Sequence, residues 1–167
     1  MHFVDGNMHL FGFLHDPFEA AKIAPFTAKL PVKGHIYNLR NGKYLGNTDT
    51  VNCVIPYAEG AVFGVYPYKV NALEVKMPQS VKAGSDLTAD VALKLSNGKA
   101  EKHIFHFEVI PPSGEARFFM KRNVEVKDGK YTFTFRIAHN DEVGTWKLLV
   151  KDVLSGITKV KEFKVVK

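Results

Sequence analysis

Several features that would point to a particular class of protein are scarce or missing from this sequence. The 167 residues include one cysteine, Cys53, so no disulfide can form within the chain. No stretch approaches the ~20 consecutive apolar residues that a membrane-spanning helix needs, so we predict no membrane span. Hydrophobic residues make up 46% and charged residues 24%, a composition that excludes disorder, collagen and a long coiled coil. A chain of this length can bury a core without a metal or a disulfide.

Acidic residues are outnumbered by basic ones, and the formal net charge is +6. Residues 1–70 contribute +1 of this charge and residues 71–167 contribute +5. Lysines of the second part, such as Lys147, Lys159 and Lys161, alternate with apolar residues instead of forming one run. Such alternation is typical of solvent-facing and edge strands, whereas a nucleic-acid binder concentrates its charge on one face. We therefore predict no nucleic-acid partner.

Turn residues divide the first 70 residues into short strands. Asp5-Gly6-Asn7 separates two strand-like segments and predicts a hairpin, and Asn41-Gly42 predicts a second hairpin with the positive φ angles of a type I′ turn. We expect residues 26–30 to form a strand that Pro31 closes. Asp16-Pro17-Phe18-Glu19 matches the capping pattern of one short helix. This part contains no alternation of strands and helices, so we predict a small antiparallel β domain over residues 1–70.

Residues 71–167 alternate apolar and polar side chains at a period of two, which is typical of strands with one buried face. The pattern occurs four times along the chain, at Leu87, Ala89 and Val91, at His103, Phe105 and Phe107, at Tyr131, Phe133 and Phe135, and at Trp146, Leu148 and Val150. About seven strands separated by turn signals predict an immunoglobulin-like β-sandwich. The predicted fold is therefore all-β in both parts, with Trp146 in the core of the second.

Three motifs of the second part resemble those of macroglobulin-like and bacterial immunoglobulin-like sandwiches. They are Val109-Ile110-Pro111-Pro112-Ser113-Gly114, Asp128-Gly129 and Gly144-Thr145-Trp146. The resemblance covers about 95 residues, a typical size for such a domain. It implies a fold and carries almost no information about function.

The first part carries a longer motif, from His35-Ile36-Tyr37-Asn38-Leu39-Arg40-Asn41-Gly42 to Lys43-Tyr44-Leu45-Gly46-Asn47-Thr48-Asp49. Together with the strand leading to Tyr66-Pro67-Tyr68, it resembles the β-rich C-terminal region of large uncharacterised bacterial proteins related to glycoside hydrolases. The chain departs from that pattern at Asn38, Leu39 and Asn41. The resemblance implies a non-catalytic portion whose catalytic barrel belongs to a preceding domain, in a parent protein located outside the cytoplasm.

Side chains with catalytic or metal-binding chemistry do not form a recognisable motif. His103 and His106 are three residues apart on a predicted strand, so they point to opposite faces and cannot share one ion. The acidic residues of the first part lie in or beside turns, where carboxylates bond to backbone amides. Cys53 lies among apolar residues and is interpreted as a small buried hydrophobe. We predict no enzyme activity, no catalytic residues, no metal and no cofactor.

Four tyrosines are the only candidates for ligand binding. Tyr66 and Tyr68 fall on one face of a predicted strand, and Tyr37 and Tyr44 flank the Asn41-Gly42 turn. Flat rings exposed on a sheet can stack on sugar faces, although tyrosines also pair and pack against each other across strands. We therefore regard a carbohydrate as a candidate ligand at these four residues.

The sequence leaves two hypotheses for the function. The first is an accessory or structural β-module of a carbohydrate-active protein, with the catalytic domain of that parent or another copy of the chain as partner. The second is a protein–protein interaction module of a cell-surface or macroglobulin-like assembly that uses a sheet edge. Strand-like sequence begins almost at Met1, so we expect residues 1–70 to leave an unpaired sheet edge and to self-associate.

Overall fold

The computed structural model describes residues 1–15, 25–56 and 58–167, and these residues form an all-β fold. The first sheet is built from β1 (His2–Asp5), β2 (Met8–Leu14), β3 (Pro25–Asn38), β4 (Lys43–Val54) and β5 (Gly60–Tyr66). Its strands lie in the order β1-β2-β5-β3-β4, and every pair is antiparallel. The expected helix at Asp16-Pro17-Phe18-Glu19 lies outside the described residues.

Two further sheets contain the remaining strands, which are β6 (Val70–Lys76), β7 (Ser80–Lys82), β8 (Asp86–Leu95), β9 (His103–Ile110), β10 (Lys121–Val126), β11 (Lys130–Arg136), β12 (Gly144–Asp152) and β13 (Thr158–Val166). One sheet has the order β11-β8-β6 and the other the order β10-β9-β12-β13-β7. Alternate side chains of both sheets meet in one core around Phe105, Phe107, Phe133 and Trp146. The β-sandwich predicted from the period-two pattern is therefore confirmed, and Trp146 is 1% exposed within it.

The described residues contain very little helix. The sole helical element among them is a 3₁₀ turn at Phe118–Met120, between β9 and β10. None of their helices is long and apolar enough to cross a membrane.

Pro31 does not end a strand, because β3 continues through it from Pro25 to Asn38. The pairing of β3 with β4 shifts between Lys29 and Gly34, so the four residues 30–33 lie opposite one residue of β4. A proline lacks the N–H that a regular ladder requires and is tolerated at such a bulge. The expectation that Pro31 closes the strand is therefore wrong.

The predicted hairpin at Asn41-Gly42 is present and joins β3 to β4, but its turn differs from the expected one. Four residues, 39–42, separate the strands, and the Gly42 N–H donates to the Asn38 carbonyl at 2.8 Å. Gly42 has a φ of +70°, whereas Asn41 does not adopt a positive φ. The turn is therefore not of type I′, which requires positive φ at both central residues.

Candidate functional site

Three of the four tyrosines proposed for sugar stacking are buried where the first sheet meets the sandwich. Tyr37 is 1% exposed, Tyr66 4% and Tyr68 1%. Their rings contact one another, with centroids 6.2 Å apart for Tyr37 and Tyr66 and 5.7 Å apart for Tyr66 and Tyr68. Sugar stacking would require exposed rings, and these three are not exposed. Residues 63–66 of β5 are all buried, and Tyr66 packs in the cluster with Tyr37, Tyr68 and Leu154.

Tyr44 is half-buried at the margin of the same cluster. Its ring lies 5.2 Å from that of Tyr37, its hydroxyl bonds to His35 Nδ1 at 2.8 Å, and the Lys69 ammonium lies 4.9 Å from its ring centre. Burial raises the pKa of the Tyr44 hydroxyl above its usual value. Burial, and then the Lys69 charge, lower the pKa of His35.

The hydroxyls of Tyr37 and Tyr68 accept hydrogen bonds from backbone groups of the sandwich part, whereas the Tyr66 hydroxyl bonds to Met8 of the first sheet. The Val70 N–H donates to the Tyr37 hydroxyl at 2.7 Å, and the Glu101 N–H donates to the Tyr68 hydroxyl at 2.6 Å. Burial raises the pKa of Tyr37 to about 12. Burial likewise raises the pKa of Tyr66 and of Tyr68 above the usual tyrosine value. The hydroxyls are therefore neutral near pH 7 and available as hydrogen-bonding groups.

Tyr68 is the first member of a buried polar chain, which we call the junction relay and define as Tyr68, His103 and Asp152. The Tyr68 hydroxyl lies 3.0 Å from His103 Nε2, and His103 Nδ1 lies 2.8 Å from Asp152 Oδ1. The side chains of His103 and Asp152 have no exposed surface. The other Asp152 oxygen accepts hydrogen bonds from the backbone N–H and the hydroxyl of Ser155.

One assignment of protons satisfies every group of the junction relay. An ionised carboxylate accepts only, so His103 Nδ1 donates to Asp152, and Nε2 can then accept the Tyr68 proton. No buried side-chain nitrogen or oxygen in the described part of the chain is left without a partner. The relay therefore holds β9, β12 and the segment after β5 together at no cost from unsatisfied polar groups.

Two pairs of turns add contacts around the junction relay. The backbones of Gly42 and Gly156 approach so closely that a Cβ on Gly42 would lie 2.7 Å from backbone atoms of Gly156. Gly42 also has a positive φ, so glycine is required there for both reasons. At the β1–β2 turn, Asp5 pairs with Lys102 at 2.7 Å and the Asn7 amide donates to Glu101 at 2.8 Å.

Sequence reasoning did not assign a role to His103 and Asp152, although the sequence carries a signal for both. His103 is in phase with Phe105, Phe107 and Val109, which line the core face of β9, and Asp152 is in phase with Trp146, Leu148 and Val150 on β12. A histidine and a carboxylate in phase with buried residues need a partner inside the protein. The pairing itself depends on β9 and β12 being neighbours, which the sequence pattern does not reveal.

Other reactive side chains are dispersed over the described residues. Cys53 is half-buried beside the core of the first sheet. His106 lies on the opposite face of β9 from His103, as predicted, and bonds to Asn123 at 2.7 Å. Within residues 1–15, 25–56 and 58–167, no group of three or more histidine, cysteine or acidic side chains could hold a metal ion.

The sequence matches no protein-family model, and a comparison with curated proteins gives no match. Among solved structures, the chain is similar to a superoxide reductase (neelaredoxin) from Ignicoccus hospitalis, with 18% identity over 58% of this chain and 82% of the other and a TM-score of 0.41. A β-glucosidase from Listeria innocua has 17% identity over 66% of this chain, with a TM-score of 0.42. A glycosyl hydrolase family 2 member from Bacteroides cellulosilyticus has 9% identity over 94% of this chain, with a TM-score of 0.37.

The structural neighbours thus include glycoside hydrolases, at low identity. The chain spans 18% of the length of the β-glucosidase and 26% of that of the family 2 enzyme. Similarity this low gives no information about activity or substrate.

Proposed function

We propose that the chain is a non-catalytic accessory module of a bacterial carbohydrate-active protein, and that it holds a neighbouring domain in a fixed orientation. The observation that carries this proposal is the junction relay. Its three side chains have the chemistry of an acid–histidine–hydroxyl triad, but all of them are used in internal hydrogen bonds. His103 and Asp152 join two strands of the sandwich, and Tyr68 links the segment after β5 to that pair. The second unit is in this proposal an immunoglobulin-like sandwich, in keeping with its three- and five-stranded sheets.

Burial of the junction relay argues against its use in catalysis. In a catalytic triad the hydroxyl must reach the substrate while the histidine removes its proton. The Tyr68 hydroxyl instead lies between His103 and the Glu101 N–H, on a ring that is almost fully covered. A substrate could contact it only if the junction opened.

Three kinds of specific contact at the junction support a fixed orientation of the two parts. Around Tyr68 the structure combines buried aromatic rings, the hydrogen-bonded junction relay and closely packed turns. Inter-domain interfaces are mobile by default, so specific contacts of this kind are needed to fix an orientation. An accessory module that orients a catalytic neighbour requires this kind of rigid joint.

A protein–protein interaction module is the second candidate, and the exposed strand β1 favours it. All four residues of β1 are exposed, including Phe3 at 62%, and β1 forms an edge of the first sheet. An unpaired edge can pair with a strand of another chain. In this alternative, residues 1–70 mediate contact with a second copy, and light scattering would show a dimer that a Phe3→Lys substitution dissociates.

We expect the purified chain to hydrolyse none of a panel of aryl glycosides, esters and phosphates. The reason is that the described histidine, carboxylate and hydroxyl of the junction relay are buried and bonded to one another, out of reach of a substrate. The assay is release of the aryl chromophore, measured at high protein concentration and compared with Asp152→Asn, which should give the same background.

Turnover that survives repurification and disappears with one Asp or Glu substitution would contradict the accessory role. If the activity instead disappeared with His103→Gln in a protein that remains folded, the junction relay would be a catalytic site that opens in solution. Either result would replace the proposal with an enzyme.

A further inference from the structure

The tripeptide Asn-Gly-Lys occurs twice in this chain, in two loops of different structure. Residues 41–43 lie where β3 turns into β4, and residues 97–99 lie between β8 and β9. An asparagine that precedes glycine is prone to deamidation, because glycine has no Cβ to hinder attack by its backbone nitrogen on the asparagine side chain. Since the three residues are identical at the two places, we expect a difference in their reactivity to come from their surroundings.

The first copy is held in a way that hinders the reaction. The Gly42 N–H, which would have to lose its proton before the nitrogen attacks, donates to the Asn38 carbonyl at 2.8 Å. The Lys43 N–H donates to Asn41 Oδ1 at 2.9 Å and so restrains the asparagine side chain. Gly42 also lies against the backbone of Gly156, where an added Cβ would approach to 2.7 Å. The attacking nitrogen is therefore both bonded and enclosed.

The second copy lies open to solvent, with Ser96, Asn97, Gly98 and Lys99 all exposed. The Gly98 N–H has no hydrogen-bond partner among the described residues, and a Cβ added to Gly98 would meet no atom within 4 Å. The Asn97 side chain accepts one long hydrogen bond, from the Ser96 hydroxyl at 3.3 Å. The Gly98 nitrogen is therefore free to lose its proton to solvent and to approach the side-chain carbonyl carbon of Asn97.

We propose that Asn97 is a site of spontaneous deamidation in the folded protein and that the fold protects Asn41. The Gly98 nitrogen bonds to the Asn97 side-chain carbonyl carbon, and the C–N bond of the side-chain amide breaks. Ammonia leaves, carrying the equivalent of the proton that the backbone nitrogen gave up, and a five-membered succinimide ring remains. Water then opens this ring at one of its two carbonyl carbons, which yields aspartate or isoaspartate at position 97.

The loop that carries Asn97 also carries contacts of the junction. At its start, the N–H and the hydroxyl of Ser96 each form a hydrogen bond of 2.9 Å with the backbone of Lys69. Near its end, the Glu101 N–H donates to the Tyr68 hydroxyl. Deamidation adds a negative charge between these two points, and the isoaspartate form also adds one atom to the backbone. The reaction therefore alters the segment that positions the Glu101 N–H against Tyr68.

Peptide mapping by mass spectrometry tests this proposal. The folded full chain is incubated at mildly alkaline pH and digested with chymotrypsin, which releases residues 40–44 and 96–105 as separate peptides; the fraction of each that has exchanged an amide for an acid is followed with time. Asn97 should react at least about tenfold faster than Asn41, because the Asn41 copy must first give up two hydrogen bonds. In guanidinium chloride above the unfolding transition, the two asparagines should react at similar rates.

Asn97→Gln is the control variant, because its longer side chain cannot close a five-membered ring with the Gly98 nitrogen. Its peptide should stay unmodified, and its circular dichroism melt should match that of the unsubstituted chain because position 97 is exposed. Equal rates at Asn41 and Asn97 in the folded chain would overturn the proposal, as would an Asn97 that stays intact while the denatured chain reacts. A preference for Asn97 that persists in the denatured chain would also overturn it, because the preceding residues, Arg40 and Ser96, would then be the cause.

Discussion

Replacing Trp146 with alanine is expected to lower the free energy of unfolding by about 3–5 kcal/mol. The indole is almost completely buried in the sandwich core, beside the ring of Phe163 at 6.2 Å. Alanine would remove these contacts and leave a cavity that the two packed sheets cannot close. The indole N–H also donates to the Glu142 carbonyl at 2.8 Å, and that bond would be lost. Chemical denaturation followed by circular dichroism measures the change.

Trp146→Phe is the control for the size of the cavity. It keeps an aromatic ring in the core and removes the N–H, so we expect a clearly smaller loss than with alanine. A Trp146→Ala variant whose melting temperature falls by only a degree or two would contradict the packing described for the sandwich.

Asp152→Ala is expected to cost about 3 kcal/mol of stability and to loosen the junction. The Asp152 carboxylate accepts hydrogen bonds from His103 and from Ser155, and its side chain is fully buried. Removing one partner leaves a buried polar group unsatisfied, at about 1–3 kcal/mol for each such group. Denaturation should therefore show a large loss although no apolar core residue has changed.

Asp152→Asn separates the loss of hydrogen bonding from the loss of volume. Asparagine keeps one carbonyl oxygen that can accept from His103 Nδ1, so the loss should lie between those of the unsubstituted chain and the alanine variant. If alanine and asparagine were equally well tolerated, the junction relay would not contribute to stability.

The fold class could be predicted from the sequence because it depends on local patterns. The alternation at Leu87, Phe105, Phe133 and Trp146 marks one face of each strand, and burial of that face requires only that a second sheet covers it. The end of β3 could not be placed at Pro31, because a bulge absorbs the missing N–H. That bulge depends on the pairing with β4, which is not a local property.

The candidate site was the least predictable part of the molecule. Tyr37, Tyr66 and Tyr68 carry the same sequence signal whether they are exposed to a ligand or covered by another unit. Their burial depends on how the first sheet contacts the sandwich. The strand pattern within each part has no information about that contact. His103 and Asp152 were in phase with buried residues, and this phase was the one available sign of an internal polar pair.

Hydrogen exchange at two amides tests the central claim that the junction is a closed, rigid joint. The Val70 N–H donates to the Tyr37 hydroxyl and the Glu101 N–H donates to the Tyr68 hydroxyl, so both amides depend on tyrosines of the junction. With a closed junction, both should exchange as slowly as the amides of the sandwich core strands, through global unfolding. Exchange of both at the rate of exposed turn amides, while the core strands stay protected, would contradict the account.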